Sequence, residues 1–131
     1  MDYDKKTSMK RNYYTNNQNP NRPMPWLYLV LAIIFEVSGT TCMKLSEGFT
    51  RIVPTLFIFI FYAVSFTFVT LTVKVLPLGL TYAVWSAIGT ASITIVGIFW
   101  FGEGINIVKT ISLLFIIIGV VGLHFSQEHL Q

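Results

Sequence analysis

Four apolar stretches, each near the roughly 20 residues that a helix needs to cross the hydrocarbon core of a bilayer, decide what this chain can fold into. They cover residues 26–44, 52–73, 78–101 and 109–126. Lipid offers no partner to an open backbone group, so each stretch is predicted to be a helix. Pro77 and Gly79 delay the start of the third. The connections are too short to hold a domain outside the membrane. Trp26, Tyr28, Trp100 and Phe101 fall near segment ends, as interfacial aromatics do. The fold class that follows is an all-α membrane protein of four transmembrane helices, spanning residues 25–127.

Charge supports this reading. Charged residues make up 11% of the chain, against about 25% in a soluble domain. Seven of them lie in the first 22 positions, so the remainder cannot cover a water-facing surface. Residues 1–24 are rich in Asn, Lys, Arg and Tyr and lack an apolar period. They are predicted to be a disordered polar and basic tail. A short C-terminal tail is expected at 128–131. The N-terminal stretch does not read as a signal peptide, because the apolar run after it is too long and no small-residue cleavage site closes it.

The basic residues sit in the tail and in short loops, where membrane proteins keep them, so no nucleic-acid partner is expected. Lys5, Lys6, Lys10, Arg11, Arg22 and Lys74 fall on one side of a four-span topology; Lys44, Arg51 and Lys109 fall on the other. With the tail, both termini are predicted to be cytoplasmic. Without it the balance is one against three, so the core itself specifies orientation only weakly. The single cysteine, Cys42, excludes an intramolecular disulfide and a cysteine metal cluster. It reads as a small residue packed in a helix, and neither a metal site nor a bound cofactor is expected.

Between Pro25 and Gln127 there are seven charged residues, and six of them lie at segment ends or in loops. Glu36 alone stands in the middle of an apolar helix. A carboxyl at that depth is costly when ionised and unpaired, so such groups generally face a cavity and do work. The plainer alternative is a protonated structural carboxyl bonded to a neighbouring helix. Steps of three and four residues place Leu29, Ala32 and Ile33 on its face in one direction, and Gly39, Thr40 and Met43 in the other. These small or flexible neighbours leave space, and Thr40 is within reach of the carboxylate. No Lys, Arg or His lies in the other spans to pair with it, apart from His124 near an end. The charged form therefore needs a cation beside it, and the neutral form needs a proton. A group that accepts either but not both is the minimum machinery of proton-coupled antiport.

Tyr82 and Trp85 lie one turn apart on the third span, and Tyr62 and Phe66 one turn apart on the second. Aromatic faces near a carboxylate suit large, weakly hydrated cations through cation–π attraction, although such stripes also serve simple packing. The fourth span has no polar group at its centre, and it shows Ser112 and Gly119 seven residues apart. Small residues on one face let helices approach closely, so this helix is predicted to make a dimer contact. Four helices of this length hardly enclose a pathway alone, which also favours a dimer.

The run FEVSGTTCMKLSEGFTR, Phe35 to Arg51, resembles the first-helix signature of the small multidrug resistance family, and LPLGLTYAVWSAIG, Leu76 to Gly89, resembles its third-helix signature. The resemblance covers roughly Pro25 to Ser126. It implies an antiparallel, dual-topology dimer in the bacterial cytoplasmic membrane that exchanges protons for small organic cations, driven by the proton gradient. It implies that Glu36 is the shared proton and substrate site and that Tyr82 and Trp85 line the same pocket. Guanidinium-exporting members tend to carry Trp where this chain has Gly39. The Gly-Thr-Thr run from Gly39 to Thr41 is similar to the quaternary-ammonium and multidrug exporters of the EmrE/Qac type. Lipid-flipping relatives lack the first-helix Glu. Ala87 and Ser112 depart from the Gly that many members carry, which bears on the kinking of the third helix and the packing of the fourth.

A transporter rather than an enzyme is therefore expected, with Glu36 as the binding carboxylate. Ala32, Ile33, Gly39, Thr40, Tyr62, Phe66, Tyr82 and Trp85 are its candidate pocket residues. The alternatives are a guanidinium or polyamine exporter, and a subunit of a paired heterodimeric transporter in place of a homodimer.

Overall fold

The computed structural model describes residues 1–16 and 24–129, in five helices: α1 (Asp2–Asn16), α2 (Pro25–Leu45), α3 (Ile52–Thr72), α4 (Leu78–Phe101) and α5 (Ile107–His129). The last four are long and apolar enough to cross a membrane. They are the four spans that the sequence leads us to expect.

The N-terminal segment differs from expectation. Where no order is predicted, Asp2–Asn16 form a helix. Asp2 and Asp4 stand in its first turn, where acidic groups oppose the helix dipole, and Lys5, Lys6 and Lys10 are good helix formers. Every side chain from Met1 to Asn12 is exposed. Residues 17–23, the rest of the expected tail, and residues 130–131 at the C-terminus lie outside the described residues.

Local chemistry sets the ends of the spanning helices. Pro25 occupies the first position of α2 after an extended Met24, where its fixed φ suits a helix start and its missing N–H costs nothing. Pro54 falls in the first turn of α3, among donors that have no intrahelical partner anyway. Gly102 ends α4 in the left-handed conformation at φ 65°, which an α-carbon without a side chain adopts cheaply. The start of α5 falls two residues before the expected 109, because the Asn106 side chain accepts the Lys109 N–H at 2.7 Å as a cap. The helix then runs on through His129, into the expected C-terminal tail.

Helices α2 and α3 form the most extensive pair, α4 lies against α2, and α5 rests on α4. Lipid is as apolar as leucine, so helices in it associate through close packing and interhelical hydrogen bonds. Both operate between α2 and α3. The fully buried Ser65 hydroxyl donates to the Ala32 carbonyl across the interface at 2.7 Å. An aromatic ladder continues the contact: Tyr28 on Phe68 at 5.7 Å, Phe68 on Phe35 at 6.0 Å, and Phe35 on Phe61 at 6.0 Å.

The α2–α3 turn is knotted by buried Ser46. Its hydroxyl donates to the Met43 carbonyl, and its own carbonyl accepts the Thr50 and Arg51 N–H groups. Leu29 and Ile33 of α2 meet Leu80 and Val84 of α4 in the core, with Val120 of α5 against them. No side chain of α5 is buried, so its apolar surface faces lipid or another protein.

Ser65→Ala is expected to loosen the α2–α3 pair by about 0.5–1 kcal/mol, the scale of one interhelical bond in a membrane protein. Unfolding of the detergent-solubilised protein by added denaturing detergent measures it. Unchanged stability would remove this bond from the account of the fold.

Candidate functional site

Glu36 sits midway along α2, on the side turned toward α4. Its carboxylate comes so close to the α4 backbone that a Cβ on Gly89 would lie 2.7 Å from Oε2. Glycine at position 89 is therefore what lets the acid reach the helix interface, since no side chain fits between them. Gly39 plays the matching part toward α3. A Cβ there would stand 2.8 Å from both Cδ2 and Cε2 of Tyr62, so its absence lets the Tyr62 ring lie against α2.

These two close approaches align a chain of polar groups. Thr40 Oγ1 lies 3.2 Å from Glu36 Oε1, 3.0 Å from the Glu36 carbonyl and 2.6 Å from the Tyr62 hydroxyl. A threonine hydroxyl carries one proton. With that proton turned to Glu36, the Tyr62 O–H donates to Thr40. Tyr62 thus orients Thr40, and Thr40 holds one carboxylate oxygen.

The other oxygen, Oε2, is buried and has no hydrogen-bond partner among the described residues; the same holds for the Trp85 indole nitrogen. Buried polar groups are nearly always partnered. Both residues line one cavity of about 160 Å³, walled also by Tyr82, Ser86, Thr90 and Ile93. An acceptor and a donor without partners thus belong to the same space. Around it the rings form a continuous arc: Tyr62 to Phe66 at 6.0 Å, Phe66 to Trp85 at 6.0 Å, and Trp85 to Tyr82 at 5.8 Å. Tyr82 is 63% exposed, so the arc is open on that side. A carboxylate beneath aromatic faces attracts a cation through both charge and ring quadrupole.

Of the residues singled out from the sequence, Glu36, Thr40, Tyr62, Phe66, Tyr82 and Trp85 come together here, with Gly39 making room behind Tyr62. Ala32 and Ile33 lie elsewhere. Although they share the Glu36 face of α2, α4 crosses that face at Leu80 and Val84 and seals Ile33 into the core, while Ala32 is covered by α3 at Ser65. Ser112 and Gly119 lie on the exposed α5, and a Cβ on Gly119 would meet nothing within 4 Å. Sequence reasoning missed Ser86, Gly89, Thr90 and Ile93. Their signal was present: stepping along α4 from Tyr82 by three and four residues reaches them.

Gly89→Ala is expected to push the flexible end of Glu36 aside and to destabilise the protein modestly, because the displaced carboxylate loses its place beside Thr40. In a Glu36→Ala background the opposing oxygen is gone and most of that cost should vanish, a coupling that a double-mutant cycle of detergent unfolding reads directly. An equal cost in both backgrounds would contradict the contact.

Residues 24–129 match the family model described as Small Multidrug Resistance protein. The chain is 48% identical over 105 residues to the membrane protein YvaE of Bacillus subtilis, covering 80% of this chain and 88% of that protein. It is 42% identical over 107 residues to the quaternary ammonium compound-resistance protein QacG of a Staphylococcus species, covering 81% of this chain and 100% of that protein. Identity to the multidrug resistance protein EbrB of Bacillus subtilis is 43% over 105 residues, covering 80% of this chain and 90% of that protein. Because the match runs through all four spans and includes Glu36, the chain belongs to the small multidrug resistance family and is a multi-pass protein of the bacterial cytoplasmic membrane.

Proposed function

We propose that this protein is a proton-coupled antiporter that exports hydrophobic and quaternary-ammonium cations. The observation that carries the reading is Glu36 Oε2, buried without a hydrogen-bond partner among the described residues, on a cavity walled by Tyr82 and Trp85. An ionised Glu36 takes an organic cation against the aromatic arc, whose ring faces favour a large, weakly hydrated ion. A protonated Glu36 has no charge with which to hold that cation, so proton entry releases it. The proton gradient then drives export without a bound cofactor. Relatives named for quaternary ammonium and multidrug resistance favour the same substrate class.

Gly39 favours it over guanidinium export. The indole associated with guanidinium exporters cannot stand at position 39 while the Tyr62 ring lies where even a Cβ would be 2.8 Å away. Polyamines, with several strongly hydrated charges, match a single carboxylate poorly.

The cavity also favours a dimer. About 160 Å³ is below the roughly 300–1,000 Å³ that encloses a drug-sized ligand, and the Tyr82 side is open. A second, oppositely oriented copy would wall that side. A second reading, in which the partner is a different family member, is favoured by Lys5, Lys6, Lys10 and Arg11 ahead of the first span, because basic residues there bias insertion toward one orientation.

Addition of tetraphenylphosphonium to the solubilised protein is expected to release protons, and Glu36→Gln to abolish the release; undiminished release from the variant would overturn the proposal. Proteoliposomes holding this chain alone should accumulate tetraphenylphosphonium in preference to guanidinium and spermidine. Transport that appears only with a second family member added would favour the paired reading.

A further inference from the structure

A second cavity, of about 260 Å³, lies beyond the Glu36 cavity toward the α4–α5 turn, lined by Thr40, Thr41, Lys44, Ile93, Gly97 and Glu103 among others. Ile93 lines both spaces. Thr40, on the wall of the second, is the residue that holds Glu36. The two cavities therefore lie end to end along the α2–α4 interface.

The outer end of the second cavity is where charge gathers. The Lys44 ammonium pairs with the Glu103 carboxylate and lies 4.7 Å from the centre of the Phe101 ring. The chain is shaped to bring Glu103 there. Past the left-handed Gly102, the Glu103 N–H donates to the Gly97 carbonyl at 3.0 Å. The carboxylate then folds onto α4 at Gly97, where a Cβ would lie 2.6 Å from its Oε2. A hydrogen bond from Lys44 and the Lys44 charge hold the Glu103 carboxyl below its usual range, with Lys109 adding to the effect.

We propose that the Lys44–Glu103 pair is a latch across this second cavity, and that its opening connects the Glu36 cavity to water at the α4–α5 end of the protein. The proposal rests on the antiport reading, in which Glu36 must exchange its proton and its cation with an aqueous face. Two features fit a device that opens in every cycle. Both partners are half exposed, at 49% and 40%, and exposed ion pairs are weak enough to break readily. Glu103 also has a standby partner, because Lys109 Nζ lies 3.7 Å from its other oxygen. Lys44 can swing away while Lys109 stays beside the carboxylate, so opening leaves no uncompensated acid on the α4 backbone. The Glu47–Arg51 pair at the same end, 2.8 Å apart, touches neither cavity.

The test uses Thr41→Cys in a Cys42→Ser background of the full chain, reacted with N-ethylmaleimide in detergent. Glu103→Gln is expected to speed labelling about fivefold, the shift that loss of an exposed ion pair produces in a two-state equilibrium. The exchange Lys44→Glu with Glu103→Lys should lower it again, though not fully, because the lysine placed at 103 would stand beside Lys109. Glu47→Gln removes the same charge nearby and should leave the rate alone. Should Glu103→Gln fail to fold, Lys44→Gln breaks the same pair and carries the same expectation. An unchanged rate in the folded variant, or an equal rise with Glu47→Gln, would overturn the latch. Tetraphenylphosphonium affinity, measured on the same samples, should change less than about twofold for Glu103→Gln, because the latch is not part of the binding site. Loss of that binding in the unmodified protein would instead count against the antiport reading, while the labelling rates still judge the latch.

Discussion

The approach of Glu36 to the α4 backbone at Gly89 is the constraint on which the rest of this structure depends. A carboxylate in an apolar helix must find a place that is neither lipid nor a sealed core. Here that place exists because α4 presents backbone instead of a side chain. Once the acid is seated there, one oxygen meets Thr40, and Thr40 in turn meets Tyr62. Tyr62 reaches Thr40 because Gly39 leaves room for its ring. Two glycines on different helices thus fix the position of one acid, and the oxygen left over faces the aromatic arc.

The packing around the site divides the labour. Helices α2 and α3 are bound by Ser65 and the ladder of aromatic rings, and the core of Leu29, Ile33, Leu80 and Val84 holds α4 to α2. These contacts stand on the closed side of Glu36. On the other side the rings of Tyr82 and Phe66 are exposed, and α5 buries none of its side chains. One chain therefore supplies a rigid back wall and leaves the front open. That asymmetry agrees with the proposal that a second copy walls the open side.

Much of this was legible in the sequence. The four spans follow from run length alone, and Glu36 from its isolation among apolar residues. The pairing of Tyr82 with Trp85, and of Tyr62 with Phe66, follows from helical spacing. What helical spacing could not supply was the crossing point of two helices. Ala32 and Ile33 share the Glu36 face, yet α3 and α4 cover them, because a face several turns long meets different neighbours at each turn. Helical stepping from Tyr82 places Gly89 on the right face of α4, but its value lies in a contact with a residue 53 positions away, which spacing within one helix does not report. The short helix α1 was missed for another reason: an absent apolar period shows that a segment buries nothing, and says little about whether its backbone coils.

At the centre of this account is one carboxylate that holds a proton or a cation and never both. The most direct measurement is the affinity of the purified protein for tetraphenylphosphonium across a pH series. If the two compete for Glu36, the apparent Kd rises about tenfold for each unit of acidification once the carboxylate is mostly protonated, as single-site proton linkage requires. It levels off where Glu36 is ionised. A Kd that stays flat across the whole series, with the protein folded throughout, would contradict a shared site.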